Sequence, residues 1–433
     1  MSFPRAAAHL AAAVLAVAAS MSTSTAAAPQ AVSAAPAAPD RPSTYGEKSS
    51  RTTLEYTRRA KKYDQHAVGA TREPAAEVWQ VPEAAYAENP GNPLAGRRWG
   101  VYLGPQDQVW SPFLSSVGEE REQLAKIALR PRTKWFGGWI PDQQISSTVS
   151  RYIADSQAGD PTALVQMALF RMSPWEGEAC ERRSTPEERS SYKTWMRNVA
   201  TAIGETPTLV VMQPDMPFFW CSPDRGAKSK LFRYATRILS ELPNTDVYLD
   251  AGAADWCKKG TGQQPEHCAD LLARVGIEHA RGFALDSTHY TGPVENVLHG
   301  SEIVKALRKR GFGHKHFIVD TAKSGRPTMW PRVIPAAKGE KNDNSRTCTT
   351  RSMKRCVTLG IPPTVRTADD RWALPTEIRA LARRHVDGFV WFGRPWLHYQ
   401  ADPFVMQRAL DMGRSTPWPG PLADVHAPLL RGR

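Results

Sequence analysis

Four stretches of the chain share one design, a short run of apolar and β-branched residues closed by an aspartate. They are Thr208-Leu-Val-Val-Met-Gln-Pro-Asp215, Val247-Tyr-Leu-Asp250, Gly282-Phe-Ala-Leu-Asp286 and His316-Phe-Ile-Val-Asp320. A run that is apolar at every position, rather than at alternate ones, describes a strand buried on both faces, and such strands belong to parallel sheets covered by helices. Carboxylates at the ends of these strands fall on the rim where α/β proteins keep their chemistry.

Three further runs, Thr133 to Gly137, Ala163 to Phe170 and Gly388 to Phe392, bring the expected strands to seven. Helical spacing fills the intervals. Tyr192, Met196, Val199 and Ile203 share one face before Gly204, and Ile303, Ala306 and Leu307 share another before Arg310-Gly311. Alternation of strand and helix implies right-handed crossovers and a parallel sheet. The expected fold is α/β, a distorted TIM-like barrel of about seven parallel strands. A doubly wound dinucleotide fold is disfavoured, because no Gly-rich loop follows the first strand.

The ends of the chain read differently. Arg5 followed by the apolar Ala11 to Ala19 and by Ala26-Ala27-Ala28 predicts a signal peptide over 1–28, with a core too short to span a bilayer. Residues 29–75, rich in Ala, Pro, Ser and charge, predict a disordered tether; 76–425 form the expected barrel and 426–433 a tail. The net charge of +13 raises the question of nucleic acid, but Lys and Arg are scattered and no nucleic-acid motif is present. Attraction to an anionic cell envelope stays open. The expected product is secreted and monomeric, without a transmembrane anchor. Its six cysteines favour disulfides in an oxidising compartment, since none has zinc-ligand spacing.

Several blocks, taken in order, carry a more specific signal. Asn92-Pro93-Leu94, Lys134-Trp-Phe-Gly-Gly-Trp139, Gln213-Pro-Asp215, Tyr248-Leu-Asp-Ala-Gly252, Gly282-Phe-Ala-Leu-Asp286, His316-Phe-Ile-Val-Asp-Thr321, Cys356 with Gly360, and Asp387-Gly-Phe-Val-Trp391 resemble glycoside hydrolase family 6 from about residue 90 to 410. The resemblance implies inverting hydrolysis of β-1,4-glucan, with the sugar chain crossing the carboxyl ends of the strands and Asp215 as general acid. Inversion needs one carboxyl protonated for the leaving oxygen and a base to activate water on the opposite face, with no metal or organic cofactor. A neighbouring carboxylate or an apolar wall would keep such an acid protonated.

The chain departs from the family where the second aspartate and the base are expected. The loop after the second strand is longer, Ala179 takes the aspartate's place, and Glu178 or Glu176 can reach the same space. After Trp391 the chain runs Phe392-Gly-Arg394-Pro-Trp-Leu-His-Tyr-Gln-Ala-Asp402, where Arg394 replaces a lysine and Asp402 is a displaced carboxylate. The base therefore stays open between Glu178 and Asp402. Asp-Ala-Gly-His loses its histidine to Ala253, and Asn-Val-Ser-Asn-Tyr becomes Asp286-Ser-Thr-His289-Tyr290. Substrate contacts are expected from Trp135, Asp250, Trp256, Asp286, His289, Trp391 and Arg394. Two readings follow, a hydrolase with a rebuilt base and a glycan-binding protein on the same barrel that has lost turnover.

Each of these residues also has a plainer explanation. Asp250, Asp286 and Asp320 are suited to cap helices, whereas Asp215 precedes the apolar Met216-Pro-Phe-Phe-Trp220. Of the fourteen tryptophans, Trp135, Trp139, Trp256, Trp372 and Trp391 fall beside strand ends, where an indole either stacks on a sugar ring or fills the core. Trp195 is expected in the core. The resemblance implies a disulfide between Cys180 and Cys221; the family's second bridge lacks one partner here, which leaves Cys348 with Cys356 and Cys257 with Cys268 as expected local pairs.

Overall fold

The computed structural model describes residues 91–259, 262–263, 265–327 and 344–418. The expected signal peptide, tether and tail lie outside the described residues. No helix among the described residues is long and apolar enough to cross a membrane.

Seven strands form one parallel sheet in chain order: β1 (Lys134–Gly137), β2 (Val165–Phe170), β3 (Thr208–Met212), β4 (Thr245–Asp250), β5 (Gly282–Leu285), β6 (His316–Asp320) and β7 (Val386–Val390). Strand order that follows chain order, with helices between, curls the sheet into the expected α/β barrel. Its ends share no ladder. They meet where the Thr133 N–H donates to the Trp391 carbonyl at 2.8 Å, and the Trp135 indole N–H donates to the Phe392 carbonyl at 2.6 Å.

Alternation along each strand separates two cores. Leu209 and Val211 of β3, Tyr248 of β4, Ala284 of β5, Ile318 of β6 and Val390 of β7 pack inside the barrel. Their neighbours Val210, Met212, Val247, Leu249, Phe283, Leu285, Phe317 and Val319 meet the helix layer. A period of two continues past the apolar residues, so Asp250, Asp286 and Asp320 follow Tyr248, Ala284 and Ile318 on the inward side. All three carboxylates are fully buried at the top of the barrel.

The helix over Pro186–Ile203 forms as its spacing predicts. Thr185 and Glu188 make a reciprocal capping box, Pro186 occupies the first turn, and Tyr192, Trp195, Met196, Val199 and Ile203 are buried. Strand β7 departs from expectation, starting at Val386 and ending at Val390 rather than running Gly388 to Phe392. A register shift between Phe317 and Ile318 admits Val386 to the ladder, and Thr364 pairs with Phe389 along the outer edge. Beyond the strand, the Phe392 N–H turns inward to Asp320 Oδ1 at 3.0 Å.

Candidate active site

Asp215 lies beyond β3 rather than within it. Gln213 and Asp215 both hold left-handed backbone, at φ 52° and 64°. This bend of the kind that few non-glycine residues adopt turns the carboxylate back over the strand ends. Two tethers fix it. The Gln213 Oε1 accepts the N–H groups of Arg171 and Met172 at 3.3 and 3.1 Å, and the Cys180–Cys221 disulfide joins the loop after β2 to the 3-10 turn Met216–Cys221. Asp215 is only 8% exposed, and Thr288 Oγ1 donates to its Oδ1 at 2.8 Å.

Around Asp215 stand residues from three strand ends. Burial pushes Asp250 up to about 7 and Asp286 up to about 8, so that both carboxyls hold protons at pH values where an exposed aspartate has lost its own. Asp250 Oδ1 accepts the Gly252 N–H, Asp286 Oδ1 accepts the Thr291 N–H and hydroxyl, and the second oxygen of each has no hydrogen-bond partner. These contacts are loop turns, and the following helices begin at Pro265 and Pro293, so the capping explanation fails for both. It fails also for Asp320, whose Oδ2 is paired with the buried Lys323 ammonium. Lys323 further donates to the Asp286 and Ser287 carbonyls at 2.6 and 3.2 Å.

His289 and Trp256 come together, rings stacked at 4.9 Å and 11°. The imidazole Nδ1 lies 2.7 Å from Asp255 Oδ1. Burial alone lowers an imidazole's pKa, but the charge and hydrogen bond of Asp255 outweigh it and hold His289 at about 9, charged at neutral pH. Gln400 Nε2 donates to the Thr288 carbonyl at 2.9 Å, which links this cluster to the loop after β7.

That loop carries the other expected residues. Gly393 passes close over the Asp320–Lys323 pair, where an added Cβ would stand 2.5 Å from Lys323 Nζ. The close approach aims Arg394 across the seam, with its guanidinium 4.3 Å from the Trp135 ring centroid. Asp402 is exposed and acts electrostatically on both Arg394 and Lys134.

Three expectations need correction. Glu178 is exposed and drawn into an ion pair with Arg182 at 2.7 Å, and Arg182 is itself bound to Glu188. Trp391 is 1% exposed, packed with Trp110 and Trp396 and donating to the Ile361 carbonyl at 2.9 Å, because the turn at the end of β7 sends it into the core instead of the cleft. Cys257 and Cys268 are free thiols, with the Cys268 Sγ directed at the Cys257 carbonyl at 3.7 Å. The other two expected bridges, Cys180–Cys221 and Cys348–Cys356, are formed. Trp372 is likewise core, whereas Trp139 is 56% exposed at the end of β1. Thr288, Asp255, Gln400 and Lys323 were not singled out from sequence; each meets its partner through loop geometry that no local pattern encodes.

Residues 106–371 match the sequence profile described as Glycosyl hydrolases family 6. The chain belongs to that family. Over 255 residues this family-6 chain is 28% identical to Endoglucanase A of Cellulomonas fimi, a match that covers 57% of the chain and 53% of that protein. Over 233 residues it is 26% identical to Endoglucanase 1 of Streptomyces halstedii, covering 52% and 69%. The chain thus spans about half the length of the first of these relatives. Among solved structures, the endoglucanase Cel6 from Mycobacterium tuberculosis, in complex with methyl-cellobiosyl-4-deoxy-4-thio-β-D-cellobioside, aligns with a TM-score of 0.57 at 25% identity, over 74% of this chain and 98% of that one.

Proposed function

We propose that the chain hydrolyses β-1,4-glucosidic bonds with inversion, Asp215 protonating the leaving oxygen. The observation that carries this reading is the placement of Asp215, bent back over the strand ends and nearly buried, with Thr288 bonded to one carboxylate oxygen. Asp250 and Asp286 are fully buried and held protonated by that burial, so they stand as uncharged carboxyls among the strand ends rather than as contacts for a sugar in the cleft. For the base we assign Asp402, since Glu178 is held by Arg182. Two-carboxylate chemistry of this kind needs no metal. Among the described residues no group of three His, Cys, Asp or Glu is placed to hold one.

The relatives named as endoglucanases and the thio-oligosaccharide bound to the Mycobacterium enzyme support β-1,4-glucan as the substrate class. Two disulfides suit an oxidising compartment, in keeping with export as a single secreted chain. One observation favours a second reading, a glycan-binding protein without turnover: the glutamate nearest the family's second aspartate is withdrawn into a surface ion pair. Reducing-sugar release from mixed-linkage β-glucan and amorphous cellulose, measured beside Asp215→Asn, decides between them. Release that disappears in the variant supports hydrolysis with Asp215 as acid. Glucan retardation in an affinity gel with no release by either protein supports the binding reading.

A further inference from the structure

At the seam of the barrel, Asp107, Arg132, Lys134, Trp135, Arg394 and Trp396 line a small recess of about 30 Å³. A neutral glucose ring would be held at such a place by a bare indole face. Here that face is taken. Arg394 covers the Trp135 ring at 4.3 Å, the indole N–H is bonded to the Phe392 carbonyl, and Trp135 is 7% exposed. What the recess offers a ligand is positive charge.

The local charges do not balance. Arg132 is paired with Asp107 and the Lys134 ammonium donates to the Gln106 carbonyl, but the three cations Arg132, Lys134 and Arg394 have only the charges of Asp107 and the exposed Asp402 set against them. Burial is the largest influence on both cations, pushing Lys134 down to about 8 and Arg394 down to about 10 against the pull of those acids. Arg394 Nε is buried and has no hydrogen-bond partner. A buried cation with an unmet donor and too little counter-charge gains from an incoming anion. The net charge of +13 acts at longer range in the same direction, drawing a polyanionic polymer toward the protein.

We propose that the recess between β1 and β7 binds a carboxylate or phosphate group carried on the glycan, with Lys134 and Arg394 as its contacts, so that the preferred substrate is an acidic β-1,4-glucan rather than unmodified cellulose. This rests on the β-1,4-glucan reading above and narrows it.

The test is calorimetric titration of the Asp215→Asn protein with two ligands of equal length, cellohexaose and the same oligomer oxidised at its primary hydroxyls to carboxylates. The oxidised oligomer is expected to bind about tenfold more tightly at low salt. The advantage should shrink as salt rises and fall to about twofold or less when Arg394→Gln or Lys134→Gln is added. Two separate variants, each checked by thermal melting, keep the test valid if one fails to fold. A titration with inorganic phosphate separates a free anion from a glycan-borne one: displacement of the oxidised oligomer by phosphate supports a shared anion seat. Equal binding of the two oligomers overturns the anion preference and leaves the glucan reading standing, as does phosphate binding without a carboxylate advantage. Binding of neither oligomer overturns both.

Discussion

Thr288 Oγ1 donates to Asp215 Oδ1 at 2.8 Å, while the carbonyl of the same threonine accepts Gln400 Nε2 at 2.9 Å. One residue of the loop after β5 therefore joins Asp215 beyond β3 to the loop beyond β7. The orientation of the Asp215 carboxyl is thus tied to the loops after β5 and β7. Thr288→Val keeps the shape of the side chain and removes the donor. With Asp215 protonated as the proposed acid, a hydrogen bond between neutral partners contributes about 0.5–1.5 kcal/mol, so kcat on soluble β-glucan should fall roughly 2- to 10-fold, with Thr288→Ser close to the parent. Equal rates for the Val variant and the parent would show that the hydroxyl does not position the acid.

The buried carboxyls make stability depend on pH in a definite direction. Asp250 and Asp286 have folded pKa values of about 7 and 8, above the ordinary aspartate value, so the stability they contribute is present in acid and is lost as pH rises through those values. His316 and His385 have folded values of about 4, below the ordinary imidazole value, so they cost stability as pH falls from about 6.5 toward 4. The two effects oppose each other below about pH 6.5; above it the carboxyls and His289, whose folded value is about 9, titrate in the same sense, each losing stability as pH rises. Thermal melts should show the midpoint dropping between about pH 6.5 and 8. The drop should be smaller in Asp250→Asn, and a midpoint that rises over that interval would contradict the assignment.

The Cys180–Cys221 disulfide closes a loop of 41 residues and holds the turn that begins just after Asp215. A bridge of this kind contributes about 2–4 kcal/mol. The double variant Cys180→Ala, Cys221→Ala should melt lower and also lose activity at temperatures well below its midpoint, because the Asp215 turn loses an anchor. Cys348→Ala with Cys356→Ala, which opens a short loop elsewhere, should lower the midpoint with little change in low-temperature activity. Parallel activity losses in the two double variants would remove any special role for the first bridge.

The barrel was legible because each strand's burial on both faces leaves a continuous apolar run, and the period of two then places Asp250, Asp286 and Asp320 inward without knowledge of the loops. The contacts among the loops were not legible. His289 and Asp255 meet from loops 34 residues apart, and Thr288 meets Gln400 across 112; no local pattern encodes such pairs. Trp135, Trp256 and Trp391 have the same composition signal, yet an arginine covers the first, a histidine stacks on the second and the core encloses the third. The fate of an indole at a strand end is set by what the next loop lays over it.

The two candidate bases differ in what holds them. Glu178 is ion-paired with Arg182 on the surface, in a geometry whose removal typically changes stability by about 1 kcal/mol or less. Asp402 is exposed in the loop that also carries Arg394 and Gln400, and its charge is felt at Lys134 across the seam. A base that activates water contributes about 10²- to 10⁴-fold. Asp402→Asn should therefore lower kcat by about 100-fold or more with KM changed little, whereas Glu178→Gln should stay within about twofold of the parent. Stopped-time assays on soluble glucan, run on both variants with matched melting midpoints, separate the two. The reverse pattern, a dead Glu178→Gln and an active Asp402→Asn, would mean that the Arg182 ion pair opens when glycan binds and releases Glu178 into the cleft.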